Sequence, residues 1–347
     1  MTPHVLFVVP TFNRAAELPR TIGAIAEQRW PADRISVLVV DNSSTDDTSR
    51  VLTDLKRRLR VPVEHLRKAP EGPTVARNIG LQRGLGRLVA LVDSDVELDP
   101  HWTEATVAAL IAEPELAQVG GKLLFAHDPD LLNSYGGALG RLGLAWDHAE
   151  GEPANSETEP RDVLWISTSA VLMRPEPILA VGGFDESFFL GGEEPDLGLR
   201  LAIAGWRSRV VPEALALHHT GTMIGRIHPD AVFHSSKNRL RMILKSFGPA
   251  RLLWLIPASL CYVLLDAVLH PPRSARLRAL SWNLCHLGET LRLRRQTQHC
   301  RTTSDHAVLK RISSRWFPPT RLTGLRRRIV PGMTVAKGAD RKAECAR

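Results

Sequence analysis

Short β-branched runs alternate with amphipathic stretches through the first third of the chain. Val5 to Val9, Val37 to Val40, Pro62 to Leu66 and Leu88 to Val92 are almost continuously apolar, as strands are when both faces of their sheet are covered. Between them, Leu18, Ile22, Ile25 and Ala26 form one helical stripe, and Val51, Leu52, Leu55 and Leu59 form another. This β-α-β-α-β order predicts an α/β fold, a mostly parallel sheet with helices on both faces. Ligands of open sheets of this kind bind beyond the carboxyl ends of the strands. Three polar clusters occupy those ends: Pro10-Thr11-Phe12-Asn13-Arg14, Asp41-Asn42-Ser43-Ser44 and Asp93-Ser94-Asp95.

From about Gly120 to Gly221 the pattern is less regular and rich in glycine. Strands are predicted at Val119 to Phe125, Trp165 to Met173 and Arg207 to Val211, as the second half of the same domain. A helix is expected over Phe233 to Phe247, with Phe233, Leu240, Leu244 and Phe247 on one face and Lys237, Arg241 and Lys245 as a basic ridge at i, i+4 spacing. Leu252 to Leu269 is strongly apolar, and beyond Arg273 the chain is rich in arginine. The expected organisation is a catalytic domain over 1–225, with a nucleotide-binding half (1–115) and an acceptor half (116–225). A basic, apolar helical extension (226–300) follows, then a basic tail (301–347) expected to be disordered from about Pro331.

Composition narrows the class. Of 347 residues, 44% are apolar and 24% charged, which places the chain among globular proteins. The net charge of +8 is uneven: residues 1–270 carry 27 basic and 33 acidic residues (27 − 33 = −6), and residues 271–347 carry 18 and 4 (18 − 4 = +14). A basic end on an acidic body suits a polyanionic partner. Aromatic residues make up only 5%, and no recognition motif accompanies the arginines, so a phospholipid surface is favoured over nucleic acid. The four cysteines lie in the last quarter without metal-ligand spacing, and the amino terminus has no signal-peptide pattern, so reduced thiols and a cytoplasmic location are expected.

Asp93-Ser94-Asp95 directly follows an apolar strand. Carboxylates there suit a hard divalent cation, Mg²⁺ or Mn²⁺, which takes one or two protein carboxylates together with phosphate oxygens; the same residues also suit a solvated turn or helix cap. Asp41 is placed either to form an Asx turn or to hydrogen-bond a base or ribose. The segment Gly72 to Asn78 opens a helix, where backbone N–H groups and Arg77 attract anions. Glu193, Glu194 and Asp196 cluster at another helix start, where they either cap the helix or supply a general base. His218-His219 follows a strand and offers imidazole as a metal ligand.

Taken in order, VVPTFNR, VLVVDNSSTDDT, ARNIG, LVDSDVELDPHW, VGGFDESFFLGGEEPDLGLRLAIAGW and PEALALHHTG resemble the family 2 glycosyltransferases, in particular their rhamnosyltransferase-like branch with a GT-A fold. The resemblance spans about Val5 to Lys245. It implies that Pro10, Thr11, Asn13, Arg14, Asp41, Ser43, Arg77, Asn78, Asp93 and Ser94 bind the nucleotide-sugar donor. It also implies that Asp93, Asp95 and His218 or His219 hold the metal, and that Glu194, with Glu193 and Asp196 as alternatives, is the general base. Three positions depart from the family pattern: Glu194 stands where Asp is usual, Thr168 where Gly is usual, and Gly191 where an aromatic residue is common. The implied reaction is an inverting transfer from a nucleotide-diphosphate sugar to a hydroxyl of a glycan or lipid-linked acceptor. The Glu194 departure motivates the alternative, a catalytically weak protein that binds sugar nucleotide or glycan.

Leu252 to Leu269 has 18 residues, the lower limit for crossing a bilayer, and contains Pro257 and Asp266. A spanning helix would also divide its two basic flanks across the membrane. Peripheral association with an anionic cytoplasmic leaflet, through apolar and basic groups acting together, is therefore expected ahead of the alternative, a helical subdomain packed on the catalytic core or a dimer interface.

Overall fold

The computed structural model describes residues 2–219 and 228–319. The expected disorder beyond Pro331 lies outside them. The first half runs β1 (Val5–Thr11), α1 (Leu18–Ala26), β2 (Ile35–Asp41), α2 (Thr48–Arg58), β3 (Val63–Arg67), α3 (Pro73–Arg83) and β4 (Leu88–Val92). A short β5 (Val96–Leu98) and α4 (Trp102–Ala112) lead into the second half. There follow β6 (Leu116–Phe125), β7 (Asp128–Ser134), β8 (Gly137–Leu139), β9 (Ala145–Asp147), β10 (Arg161–Val163), β11 (Ala170–Met173), α5 (Pro175–Ala180), α6 (Glu193–Ile203) and β12 (Arg207–His218). The carboxyl-terminal region is helical: α7 (Pro229–Ser246), α8 (Pro249–Leu269), α9 (Arg273–Cys285), α10 (Leu287–His299) and α11 (Asp305–Leu309).

The main sheet is ordered β10-β12-β6-β11-β4-β1-β2-β3. Its β4-β1-β2-β3 portion is parallel, as the apolar runs predict. The second half is mixed. β11 is antiparallel to both β4 and β6, and β12 runs parallel to β6. The strand expected over Trp165 to Met173 begins only at Ala170, because residues 166–169 turn at the mouth of the site. The strand expected to end at Val211 continues to His218, with a register shift against β6 between Val210 and Leu215.

Two apolar clusters cover the faces of the sheet. One packs Phe7, Ile22 and Trp102, the other Val8, Leu81 and Phe184. A third joins Phe188, Leu199 and Ile203 to Met242, Phe247, Leu255 and Val308, so the helical region shares a core with α6. Burying side chains of this size contributes roughly 1.5–3 kcal/mol each, which ties α7 and α8 firmly to the sheet domain.

The basic ridge of α7 faces inward. Lys237, Arg241 and Lys245 are all buried, against the expectation of a basic surface. Arg241 and Lys245 meet Asp185, and Lys245 also meets Asp196, so remote carboxylates pair with charges that the local pattern left open.

Candidate active site

A cleft of about 590 Å³ opens at the carboxyl ends of β1, β2 and β4. Pro10, Thr11, Phe12 and Arg14 line it from the first strand end, and Asp93, Ser94 and Asp95 from the third. Arg77, Asp147, Glu150, Glu193, Glu194 and His218 also line it, so residues spread over more than half of the sequence meet in one depression.

Asp95 and His218 form one side. His218 Nε2 lies 3.5 Å from Asp95 Oδ1, while His218 Nδ1 is 2.8 Å from Asn133 Oδ1. The Asn133 carbonyl oxygen accepts a hydrogen bond from Nδ1–H, which leaves Nε2 as the ring nitrogen that faces Asp95. Burial by itself would raise the Asp95 carboxyl; the His218 hydrogen bond and charge, helped by Arg14, bring it below the ordinary carboxylate value. An ionised carboxylate beside an imidazole nitrogen, which gives up its proton to a metal, fits a divalent cation that takes its other ligands from phosphate and water. Among the described residues no group of three or more His, Cys, Asp or Glu side chains stands ready to hold a metal ion without such help. His219 turns away, its Nε2 3.1 Å from Glu97 Oε2, so of the histidine doublet His218 faces the cleft.

Asp93 is engaged differently from Asp95. Its Oδ2 accepts from Ser169 Oγ at 2.8 Å and its Oδ1 from Arg77 Nη2 at 3.2 Å. Arg77 also donates from Nη1 to Glu193 Oε1 at 3.0 Å, and so bridges the Asp93 strand end to the acid pair. Burial disfavours the Arg77 charge, but Asp93, Glu193 and Glu194 outweigh it and raise the group. Burial, and then the charge of Glu194, push Glu193 up to about 7 in spite of Arg77.

The acid pair enters on a sharp turn. Gly191 and Gly192 have φ of +68° and +89°, the left-handed region that glycine adopts without strain. At Gly191 a side chain would meet open space but a strained backbone, which accounts locally for glycine there. α6 then begins at Glu193. Glu194 Oε1 accepts from Thr168 Oγ1 at 2.9 Å, and this half-buried carboxylate lines the cleft. Asp196 is fully buried, ion-paired with Arg200 and Lys245, and does not line the cleft.

Several predicted donor residues support the cleft from behind its surface. Asp41 is fully buried, accepting from Ser44 N at 2.8 Å and lying 3.3 Å from His65 Nε2. Asn13 joins the first two strand-end loops, with its N–H on Ser44 Oγ and its Oδ1 accepting from Thr45 N. Ser43 Oγ donates to Lys68 O, and Asn78 holds Phe184 and Glu186. These four side chains shape the loops and do not line the cleft. Ser169, Asn133 and Phe189 do work there that sequence reasoning missed. Ser169 holds Asp93 and Asn133 holds His218, and the exposed Phe189 ring sits so close to Gly72 that a Cβ added there would lie 2.8 Å from it.

The fold is the GT-A fold. Residues 6–129 match the family model described as glycosyl transferase family 2. The chain is 29% identical over 258 residues to an N-acetylglucosaminyl-diphospho-decaprenol L-rhamnosyltransferase of Mycobacterium tuberculosis, covering 65% of this chain and 79% of that protein. It is 31% identical over 221 residues to the validoxylamine A glucosyltransferase of Streptomyces hygroscopicus subsp. jinggangensis, covering 58% of this chain and 52% of that one. The mannosyltransferase of Pyrobaculum calidifontis, solved with GDP-Man and Mn²⁺, superposes with a TM-score of 0.52 at 17% identity, covering 90% of this chain and 87% of the other. That likeness concerns the fold. The chain spans between 17% and 79% of the length of the first curated relatives it matches.

Proposed function

We propose that the protein is an inverting glycosyltransferase that moves a sugar from a nucleotide-diphosphate donor to an acceptor hydroxyl. The observation that carries this reading is the convergence of Glu194, held on Thr168, with Asp95 and His218 in one cleft. Glu194 accepts the proton of the acceptor hydroxyl, whose oxygen attacks the anomeric carbon from the face opposite the departing nucleoside diphosphate. Asp95 and His218 would hold a divalent cation, which offsets charge on the leaving diphosphate. Arg77 fixes Asp93 and Glu193 and keeps positive charge beneath the diphosphate region. The β1 and β2 loops receive the nucleoside. Relatives named for transfer to a decaprenyl diphosphate support a lipid-linked or other glycan acceptor.

The helical region supports a cytoplasmic enzyme held peripherally at the inner face of the membrane. By length and composition α8 is able to cross a bilayer. However, Leu255, Ser259, Val263 and Ala267 form a buried stripe at i, i+4 spacing, and Asp266 pairs with Arg276. A helix packed on protein along one stripe suits the interface better than a lipid-surrounded span. Leu253, Trp254, Leu260, Leu264, Leu265 and Val268 remain exposed on it. Arg273, Arg278, Arg292 and Arg295 are exposed on α9 and α10, so these, and not the α7 ridge, supply the basic component.

The test is a panel of nucleotide sugars with Mg²⁺ or Mn²⁺ and a polyprenyl-diphosphate saccharide acceptor. Metal-dependent release of nucleoside diphosphate, with an inverted product linkage, is the expected result. Tight metal-dependent binding of a donor without release would identify a binding protein instead.

A further inference from the structure

The turn that carries the acid pair is gripped from one side by a single helix. Asn238 Nδ2 donates to Gly191 O at 2.6 Å and to Leu190 O at 3.3 Å. Lys237 Nζ donates to Ser187 O. Lys245 Nζ lies 2.5 Å from Asp185 Oδ2 and 2.8 Å from Asp196 Oδ1, and thus ties together the residues that precede and follow the turn. Arg241 Nε adds a second bond to Asp185 at 3.0 Å. All four gripping side chains belong to α7 and are almost wholly buried, at 3% exposure for Lys237, 1% for Asn238, 0% for Arg241 and 2% for Lys245.

We propose that α7 is a positioning clamp for the general base. Lys245 closes the segment 186–195 as a loop between Asp185 and Asp196, and Asn238 fixes its glycine turn, so that Glu194 meets the acceptor hydroxyl in one orientation. This rests on the reading of Glu194 as the base. The chemistry supports it. The glycine pair at 191 and 192 has the freest backbone in the segment, and without a tether it would let the start of α6 swing. Asn238, which does not line the cleft, removes that freedom. Asp185 has the charge state that the grip needs. Burial alone would raise its carboxyl, but Lys245 and Arg241 hold it well below the usual carboxylate range. Asp196, offered by sequence as an alternative base, becomes an anchor, and the basic ridge of α7 becomes the other half of that anchor.

Asn238→Ala is the principal test, because it removes two hydrogen bonds without stranding a buried charge. Amide exchange should accelerate in the peptide spanning 186–194 and stay unchanged in the β1 and β4 strands. In steady state, kcat should fall by about tenfold or more, because misplacement of a reacting group by about 1 Å can cost roughly a hundredfold, while KM for the donor stays within about twofold. Lys245→Met should show the same split more strongly where it folds. Unchanged exchange in 186–194, or faster exchange with kcat retained, overturns the clamp. If the wild-type protein transfers no sugar, the proposed function falls, and unchanged exchange alone then overturns the clamp.

Discussion

His218 Nε2 faces Asp95 Oδ1 across 3.5 Å, and the other nitrogen of its ring is committed to Asn133. The pair is therefore oriented before any ligand arrives. Asp95→Ala and His218→Ala should each abolish the metal-dependent part of nucleoside diphosphate binding, measured by calorimetry with and without Mn²⁺, and leave the fold intact. His219→Ala should bind as wild type. Asn133→Ala should weaken metal-dependent binding by about 10- to 100-fold, the usual cost of losing a hydrogen bond that orients a ligand. Equal affinity with and without metal in the wild type would remove this role from the pair.

Glu193 sits in the opposite electrostatic situation to Asp95. Burial and the neighbouring Glu194 raise it to about 7, so the folded protein holds this proton more tightly than the unfolded chain does. A raised carboxyl contributes stability that is fully present below its unfolded value, near 4.3, and lost as pH climbs through 7. Glu193→Gln removes that dependence. The difference in Tm, variant minus wild type, should become more positive between pH 5 and pH 8 in thermal melts. Parallel curves over that range would show that Glu193 is not perturbed.

Much of this framework was legible in the chain, for reasons that differ by region. The parallel half was readable because strands buried on both faces leave long apolar runs such as Val5 to Val9 and Val37 to Val40, and because strand-end ligand sites follow from topology. The mixed half was not, since short strands such as β10 and β11 carry too few residues to show a period. At the site, residue types were readable but their partners were not. Arg77 meets Glu193 across 116 positions, and no local pattern encodes such a contact. The α7 ridge shows the same limit. Its spacing was correctly helical, but a row of like charges reads as a solvated face until the carboxylates of Asp185 and Asp196 are found against it.

The exposed leucines of α8 give the membrane proposal a test that spares the fold. Removing the chain beyond Lys245 would strip α9 and α10 from α7, so loss of binding after truncation would be ambiguous. Changing Leu253, Leu264 and Leu265 together to glutamate leaves the buried stripe of α8 untouched. The triple variant should keep the wild-type Tm and no longer sediment with vesicles containing anionic lipid. Binding of the wild type should weaken as salt rises, since surface charge is screened over about 8 Å at physiological ionic strength. A variant that still sediments would place the attachment elsewhere.

The contact between Thr168 and Glu194 unites two of the positions at which this chain departs from the family pattern. A glutamate reaches further than an aspartate by one methylene, and here its Oε1 accepts a hydrogen bond from Thr168 Oγ1 at 2.9 Å, a bond glycine at 168 would lack. The longer acid and the hydroxyl are thus expected to function as a unit. Glu194→Gln should keep donor affinity and lower kcat by about 10² to 10⁴, with Glu193→Gln milder. Thr168→Ala should lower kcat by about tenfold, since the carboxylate keeps its basicity but loses its orientation. Glu194→Asp withdraws the carboxylate from Thr168 by about the length of one bond and should cost tenfold or more on its own, in line with the sensitivity of proton transfer to position. The informative variant combines Thr168→Gly with Glu194→Asp, which gives both positions the residues usual in the family. If the two residues act as a unit, the double variant should be no slower than Glu194→Asp alone, and the loss should fall well short of the product of the losses measured for Thr168→Gly and Glu194→Asp singly. Independent, multiplicative losses would show that Thr168 contributes to turnover by a route other than holding the Glu194 carboxylate, and an active Glu194→Gln would remove Glu194 as the base.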